Sequence, residues 1–217
     1  AMFSPEKETK IVYTSVDGER TLGLRTLDTS KSFSTQNWEG IDPHIFSYGS
    51  LVQAMAAELP FYVGKPDVYP LEFDGPGDHW GHLPYFNPGT VDIWPEWDIT
   101  WGAQYVLPDY SFHNELHGRG IADLGKTVRT PEIDAGDGNV SVFTQPNLET
   151  YISEWETPVG ARAGGREFEY PIRPGSGSSD PELGCVVRAT VTAADGAALK
   201  LTLPRWYDSP FSTPLVA

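Results

Sequence analysis

The stretch NPGTVDIWPEWDITWG, residues 87–102, carries the clearest strand pattern in the chain. Apolar and polar residues alternate through it, and side chains two apart in a strand leave the same face. One face would hold Val91, Ile93, Pro95, Trp97, Ile99 and Trp101, and the other Asp92, Trp94, Glu96, Asp98 and Thr100. We predict a two-faced strand with Trp97 and Trp101 in the core and with Pro95 at an edge or bulge.

The sequence beyond this stretch predicts a mainly β protein. Short strand candidates separated by turn residues are typical of a sandwich or barrel, and they fall at 126–134, 139–144, 151–156, 166–172, 185–192 and 198–207. The last two are predicted to pair as a hairpin across 194–196. Residues 11–27 predict another hairpin around Asp17-Gly18, a dipeptide suited to tight turns.

The N-terminal part has a different texture. Leu51, Met55 and Leu59 recur at helical spacing before Pro60, so we predict a helix over 46–59. Residues 60–83 are rich in proline, glycine and aromatics and are interpreted as an extended, packed connector. We therefore expect a hairpin-plus-helix annex at 1–83 and a β-sandwich at 84–217. The opening AMFSPEKE suggests a piece excised from a longer protein.

Composition limits the possible functions. The 217 residues include 30 acids and 15 bases, for a net charge of −15. This charge argues against binding nucleic acid or anionic lipid. The single cysteine, Cys185, excludes an intrachain disulfide and is interpreted as a small buried strand residue. No apolar run approaches the roughly 18 residues of a membrane span, so no membrane insertion is expected.

Two acids in the opening stretch suggest hydrolytic chemistry. Glu96 and Asp98 partly resemble the acidic strand of laminarinase-like glycoside hydrolases, where Glu96 would match the nucleophile. That pattern needs a general acid/base at the position of Thr100, and threonine is no proton donor for a leaving group. We therefore assign no catalytic residue.

Metal-binding patterns are incomplete. Close histidine pairs occur at His79/His82 and at His113/His117, and residues 134–139 have the Asp/Gly density of a calcium loop. The histidines match no zinc motif, and the loop lacks the glutamate of an EF-hand. We predict no metal site and no cofactor.

Aromatic residues remain as candidates for binding. Trp94 would stand beside Asp92 and Glu96, where its ring could stack on a sugar while the carboxylates accept hydroxyl hydrogen bonds. Trp155 and Trp206 are further candidates for partner contact. The predicted carbohydrate or partner contacts are Trp94, Glu96, Asp92, Trp155 and Trp206.

The order of several motifs resembles a known family. NPGTVDIWPEWDITWG, VRTPEIDAGDGNV, EFEYPIRPGSGS and ALKLTLPRWYDSPF resemble, in this order, the C-terminal half of siphophage distal tail (Dit-like) proteins and minor tail proteins of actinobacterial phages. The matching residues are Asn87, Gly89, Pro95, Ile133, Asp134, Pro174, Gly175, Trp206 and Tyr207. The resemblance covers about residues 84–217 and implies a galectin-like β-sandwich attached to a belt domain, of which residues 1–83 would be the trailing part.

The resemblance also implies a function. It predicts a non-enzymatic virion component of the phage tail tip, made in the cytoplasm of a bacterial host. The expected partners are tail-tube, tape-measure and tail-tip proteins, with host cell-wall glycan as a further partner and an oligomer in the full-length protein. The alternatives are a carbohydrate-binding module and a laminarinase-like glycoside hydrolase.

Overall fold

A computed structural model describes residues 7–27, 31–32, 51–112, 123–164 and 167–216, with main chain alone at 31–32 and 51–52. These residues form a mainly β protein whose antiparallel sheets pack as a sandwich, which confirms the predicted fold class. Its galectin-like character stays a prediction. No helix of the described part is long and apolar enough to cross a bilayer.

The described residues contain sixteen strands. They are β1 (Thr9–Ser15), β2 (Gly18–Thr26), β3 (Lys31–Ser32), β4 (Leu51–Val52), β5 (Met55–Ala56), β6 (Tyr62–Phe73), β7 (Gly77–Leu83), β8 (Tyr85–Phe86), β9 (Glu96–Ile99), β10 (Ala103–Pro108), β11 (Thr127–Arg129), β12 (Val140–Phe143), β13 (Tyr151–Ser153), β14 (Gly177–Ser178), β15 (Cys185–Val191) and β16 (Ala197–Tyr207). A short 3-10 helix spans Gly160–Ala163.

Two sheets form the layers of the sandwich. The larger has the order β1-β2-β6-β16-β9-β12-β13, with β5 also paired to β2, and the smaller has the order β11-β10-β15-β7. Two small ribbons, β14-β8 and β3-β4, complete the pairing. The buried cluster draws on both sheets: it includes Trp97, Ile99, Leu199, Leu201 and Leu203 from the larger sheet and Leu83, Tyr105, Leu107, Val187 and Ala189 from the smaller.

The stretch 87–102 forms a shorter strand than predicted. Ile93, Trp97 and Ile99 are buried, as the alternation indicates. Trp101 is 46% exposed, so its predicted core position is wrong. The reason is local: β9 ends at Ile99, and Gly102 turns the chain at φ +81. Pro95 immediately precedes β9, a central strand, so it marks a strand start and not the predicted edge or bulge.

The two predicted hairpins have different outcomes. The N-terminal hairpin is confirmed, with β1 and β2 paired from Ser15↔Gly18 to Thr9↔Leu24. The hairpin across 194–196 is wrong, because β15 belongs to the smaller sheet and β16 to the larger. The segment between β15 and β16 crosses from one layer to the other. There the N–H groups of Thr192 and Ala193 donate to the Gly102 carbonyl.

The predicted helix is absent where its span is described. Residues 51–59 contain β4 and β5 instead, while 46–50 lie outside the described residues. Met55 and Ala56 pair with Thr26 and Arg25, so the edge of β2 satisfies backbone groups that a helix would satisfy internally. The spacing of Leu51, Met55 and Leu59 was therefore not sufficient evidence for a helix.

Residues 60–83 hold two long strands in place of the predicted connector. β6 pairs with β16 between Tyr62↔Tyr207 and Phe73↔Ala197, and β7 pairs with β15 between Leu83↔Cys185 and Gly77↔Val191. Both layers of the sandwich thus include chain from before residue 84. The division into an annex at 1–83 and a sandwich at 84–217 stays a prediction.

Candidate binding surfaces

Glu96 and Asp98 lie on the outer face of the larger sheet. Lys200 on β16 forms an ion pair with Asp98 at 2.6 Å, and the Ser141 hydroxyl donates to Asp98 at 2.8 Å. Partial removal from water, and then the charge of Asp98, raise the pKa of Glu96. Thr100 has a structural role, since its Oγ1 accepts the N–H of Ala198 at 2.9 Å.

The other predicted contact residues do not form one cluster. Asp92 and Trp94 are half-buried in the segment before β9, close in the chain to Glu96. Trp206 is also half-buried, and its ring stacks on Phe61 with centroids 5.8 Å apart. Trp155 is 67% exposed in the turn after β13. It follows Ser153, which pairs with Val140, the residue that also pairs with Ile99 at the end of β9.

Residues quoted for the family resemblance meet at one junction. The buried Asn87 side chain donates to the carbonyls of Val91 and Ile172, both at 2.8 Å, and accepts the Gly89 N–H at 2.8 Å. A Cβ on Gly89 would lie 2.3 Å from the Trp206 carbonyl oxygen. Asn87 also accepts the N–H of Gly175 through its own carbonyl, at 2.9 Å. These residues join the loop before β9 to β16 and to the 172–176 segment.

Two exposed tryptophans, Trp80 and Trp101, are not among the predicted contact residues. Trp80 on β7 is 61% exposed on the outer face of the smaller sheet. The alternation within GDHWGHL could have predicted the exposure of Trp80. Gly81 and Leu83 are buried, whereas Asp78, Trp80 and His82 are exposed. Trp101 lines an open cleft of about 300 Å³ with acidic residues at Glu72, Asp74 and Asp195.

Neither described metal candidate forms a cluster. His79 and His82 are three residues apart in β7, so their side chains leave opposite faces of the sheet. His79 Nε2 lies 3.1 Å from the Gly75 carbonyl oxygen. In the 134–139 turn, Asp137 pairs with Arg162 at 2.6 Å, a hydrogen bond that lowers the pKa of Asp137. His113 and His117 lie outside the described residues. Within the described ranges no group of three or more potential ligands is positioned to hold a metal ion.

A buried acid that the sequence did not indicate organises the loop after the 3-10 helix. Asp109 is 1% exposed and accepts the backbone N–H groups of Glu169 and Tyr170. Lys126 reaches both Asp109, at 3.2 Å, and Glu169, at 2.8 Å. Burial raises the pKa of Asp109, and these hydrogen bonds and the lysine oppose that increase. The network fixes the 168–170 segment against β10.

Cys185 is buried at the start of β15, which confirms its interpretation as an apolar strand residue. Burial raises the pKa of its thiol to about 12.

Comparison with known proteins does not assign the chain to a family. Neither a scan against protein-family models nor a search of curated proteins finds a match.

Proposed function

We propose that this chain is a non-enzymatic structural component of a phage tail tip, of the distal tail or minor tail type, acting through protein–protein contacts. The first support for it is the resemblance of residues 84–217 to distal tail and minor tail proteins. It is supported by the junction of Asn87, Gly89, Gly175 and Trp206, which gives residues far apart in the sequence a common role in maintaining the fold. Host cell-wall glycan is proposed as a further contact of the assembled protein.

The observation that carries the proposal is the open edge of β1. This strand ends the larger sheet, and no described strand pairs with its outer edge. Val12 is 52% exposed on one face of β1, Ile11 is exposed on the other, and Val16 stands fully exposed at the hairpin turn. Unpaired edges promote pairing with another chain, and isolated proteins usually protect them with charge, proline or a bulge; β1 carries one such charge, Lys10, and neither a proline nor a bulge. The β1 edge therefore fits an assembly contact made by strand addition.

Sedimentation of the full-length protein, alone and with its tail-tube and tail-tip neighbours, tests the proposal. We expect a defined ring or trimer. Val12→Lys should shift the population toward monomer, because a lysine on an edge strand opposes pairing. Val68→Lys is the matched control, since Val68 is similarly exposed, at 49%, on β6 in the interior of the sheet.

Two results would contradict the assembly role assigned to the β1 edge. One is a full-length protein that stays monomeric with all its neighbours present. The other is an equal loss of assembly in the Val12→Lys and Val68→Lys variants, which would place the contact elsewhere than the β1 edge.

A further inference from the structure

The outer face of the smaller sheet carries a row of side chains that crosses all four strands. Trp80 on β7 lies opposite Arg188 on β15, Arg188 lies opposite Val106 on β10, and Val106 lies opposite Arg129 on β11. Trp80, Arg188 and Arg129 are exposed, and Val106 is half-buried. With neighbouring strands about 4.8 Å apart, the row extends about 14 Å. An aromatic ring and two guanidinium groups thus lie in one row on the outer face of this sheet.

The Arg129 end of this row opens into a cleft of about 590 Å³, a volume within the usual range of ligand sites. Its lining is mostly polar: Gln104, Arg129, Thr130, Arg162, Ala163 and Gly164. Arg162 is held in place by Asp137 at 2.6 Å and by Asp134 at 3.5 Å. The Gln104 amide donates to the Thr130 carbonyl at 3.0 Å, which leaves the amide oxygen to accept from a ligand.

Arg129 and Arg188 have no carboxylate partner among the described residues. Five of the other described cations, Arg25, Lys126, Arg162, Lys200 and Arg205, each have an acidic partner. A guanidinium group has only donors, so a ligand that binds on this row would have to supply acceptors, and a carboxylate or phosphate gives the best geometry.

The neighbouring charges restrict the ligand further. Near Trp80, the Asp78 carboxylate accepts the Thr190 hydroxyl at 2.8 Å, and His82 faces Glu182 at 3.9 Å. With Asp134 and Asp137 beside Arg162, these acids and the net charge of −15 disfavour a dense polyanion. The backbones of Arg188 and Arg129 are about 10 Å apart, whereas duplex DNA carries a charge about every 1.7 Å. The row therefore suits a sparsely charged chain.

We propose that this row and its cleft bind an oligosaccharide with widely spaced acidic groups. Trp80 stacks on a sugar ring, while Arg188 and Arg129 pair with carboxylate or phosphate substituents. Gln104 and Arg162 in the cleft bond to the hydroxyl groups of the next sugar. This site differs from the predicted contact residues Asp92, Trp94 and Glu96, which belong to the stretch before β9 and to β9 itself. The proposed binding of an acidic oligosaccharide does not depend on the phage-tail role.

Isothermal titration calorimetry with a hyaluronan hexasaccharide, which bears a carboxylate on every second ring, tests this site. We expect saturable binding that weakens as salt is added, at least tenfold tighter than binding of the neutral N-acetylglucosamine hexamer. A galacturonic acid hexamer gives the densely charged comparison, and we expect it to bind less tightly than hyaluronan. Inorganic phosphate, as competitor, should displace the hexasaccharide if the arginines accept phosphate as well as carboxylate, and a failure to compete would confine the site to carboxylates.

Variants locate the binding on the surface. Trp80→Ala, Arg188→Gln and Arg129→Gln should each weaken hyaluronan binding about tenfold or more. The matched controls are Trp101→Ala, an exposed tryptophan in the turn after β9, and Arg25→Gln, an exposed arginine on the N-terminal hairpin; both should bind as the parent does. Circular dichroism confirms folding of every variant, and because all three site residues are exposed, each variant is expected to fold.

Several outcomes would overturn the proposal. They are no saturable binding at millimolar hexasaccharide, equal affinity for the neutral hexamer, and equal losses in the Trp101→Ala or Arg25→Gln controls. None of these measurements depends on oligomer formation, so failure of this site is distinguishable from failure of the assembly role.

Discussion

At the residue scale, a few side chains fix how the loops meet the sheets. Asn87 uses both ends of its amide and bonds to three backbone groups in a fully buried position. Gly89 permits the close approach of the Trp206 carbonyl that any Cβ would block. Both residues are among those that carry the family resemblance, and these contacts give each of them a structural role.

Glu96 makes stability depend on pH in a defined direction. Its pKa in the folded state is raised above the ordinary 4.5, by burial first and by Asp98 second. The folded protein therefore binds this proton more tightly than the unfolded chain, and stability rises as pH falls through the folded-state pKa. We expect Glu96→Gln to raise the melting temperature relative to the parent at pH 7, by an amount that shrinks toward pH 4.

Thermal unfolding at half-unit pH steps measures this difference. Glu19→Gln, which removes the same charge at an exposed position of β2, is the control for net charge. A difference between Glu96→Gln and the parent that stays constant from pH 7 to pH 4 would show that Glu96 is not perturbed.

At the element scale, Arg20 helps to attach the N-terminal hairpin to the sandwich, beside the pairing of β2 with β6. This residue is 4% exposed, and its guanidinium donates to the carbonyls of Ser209 and Pro210, both at 3.0 Å, and to that of Ser212. It also lies 3.7 Å from the centre of the Tyr207 ring. Among the described residues, this buried charge is held by carbonyls and an aromatic face, and it ties β2 to the segment that follows β16.

Arg20→Met should loosen this attachment. The variant keeps an unbranched apolar side chain but leaves three carbonyl acceptors without their donor, so we expect a loss of about 3 kcal/mol in urea unfolding. Cleavage by a nonspecific protease should appear in residues 208–216. Arg25→Met on the same strand removes only an exposed ion pair with Glu58 and should cost about 0.5 kcal/mol or less. Equal effects of the two substitutions would contradict the role of Arg20.

At the scale of the whole molecule, the core joins strands from both ends of the described chain. β6 and β7 precede residue 84, yet they pair with β16 and β15, the last two strands. A substitution in either layer should therefore affect cooperative unfolding of the sandwich. The thiol of Cys185 provides a probe of this unfolding because it is buried, and its raised pKa of about 12 keeps it protonated near neutral pH.

Labelling of Cys185 with a thiol reagent should follow opening of the sandwich. Leu201→Ala removes a fully buried side chain of β16 and should cost about 3 kcal/mol, which accelerates labelling about a hundredfold when reclosing is fast. Val68→Ala on the exposed face of β6 should leave the rate unchanged. If Cys185 reacts in the parent as fast as in urea, the thiol is accessible in the native state and the prediction is wrong.

The sequence by itself determined the local features of this protein. Alternation identified the buried side of Ile93, Trp97 and Ile99, and Asp17-Gly18 located the first hairpin, because both depend on neighbours within a few residues. Tertiary structure alone decided that β15 and β16 lie in different sheets, that residues 55–56 add to β2, and that Trp101 is exposed. The row of Trp80, Arg188 and Arg129 likewise depends on register between strands up to about a hundred residues apart in the chain, and that register is set by burial against the opposite layer.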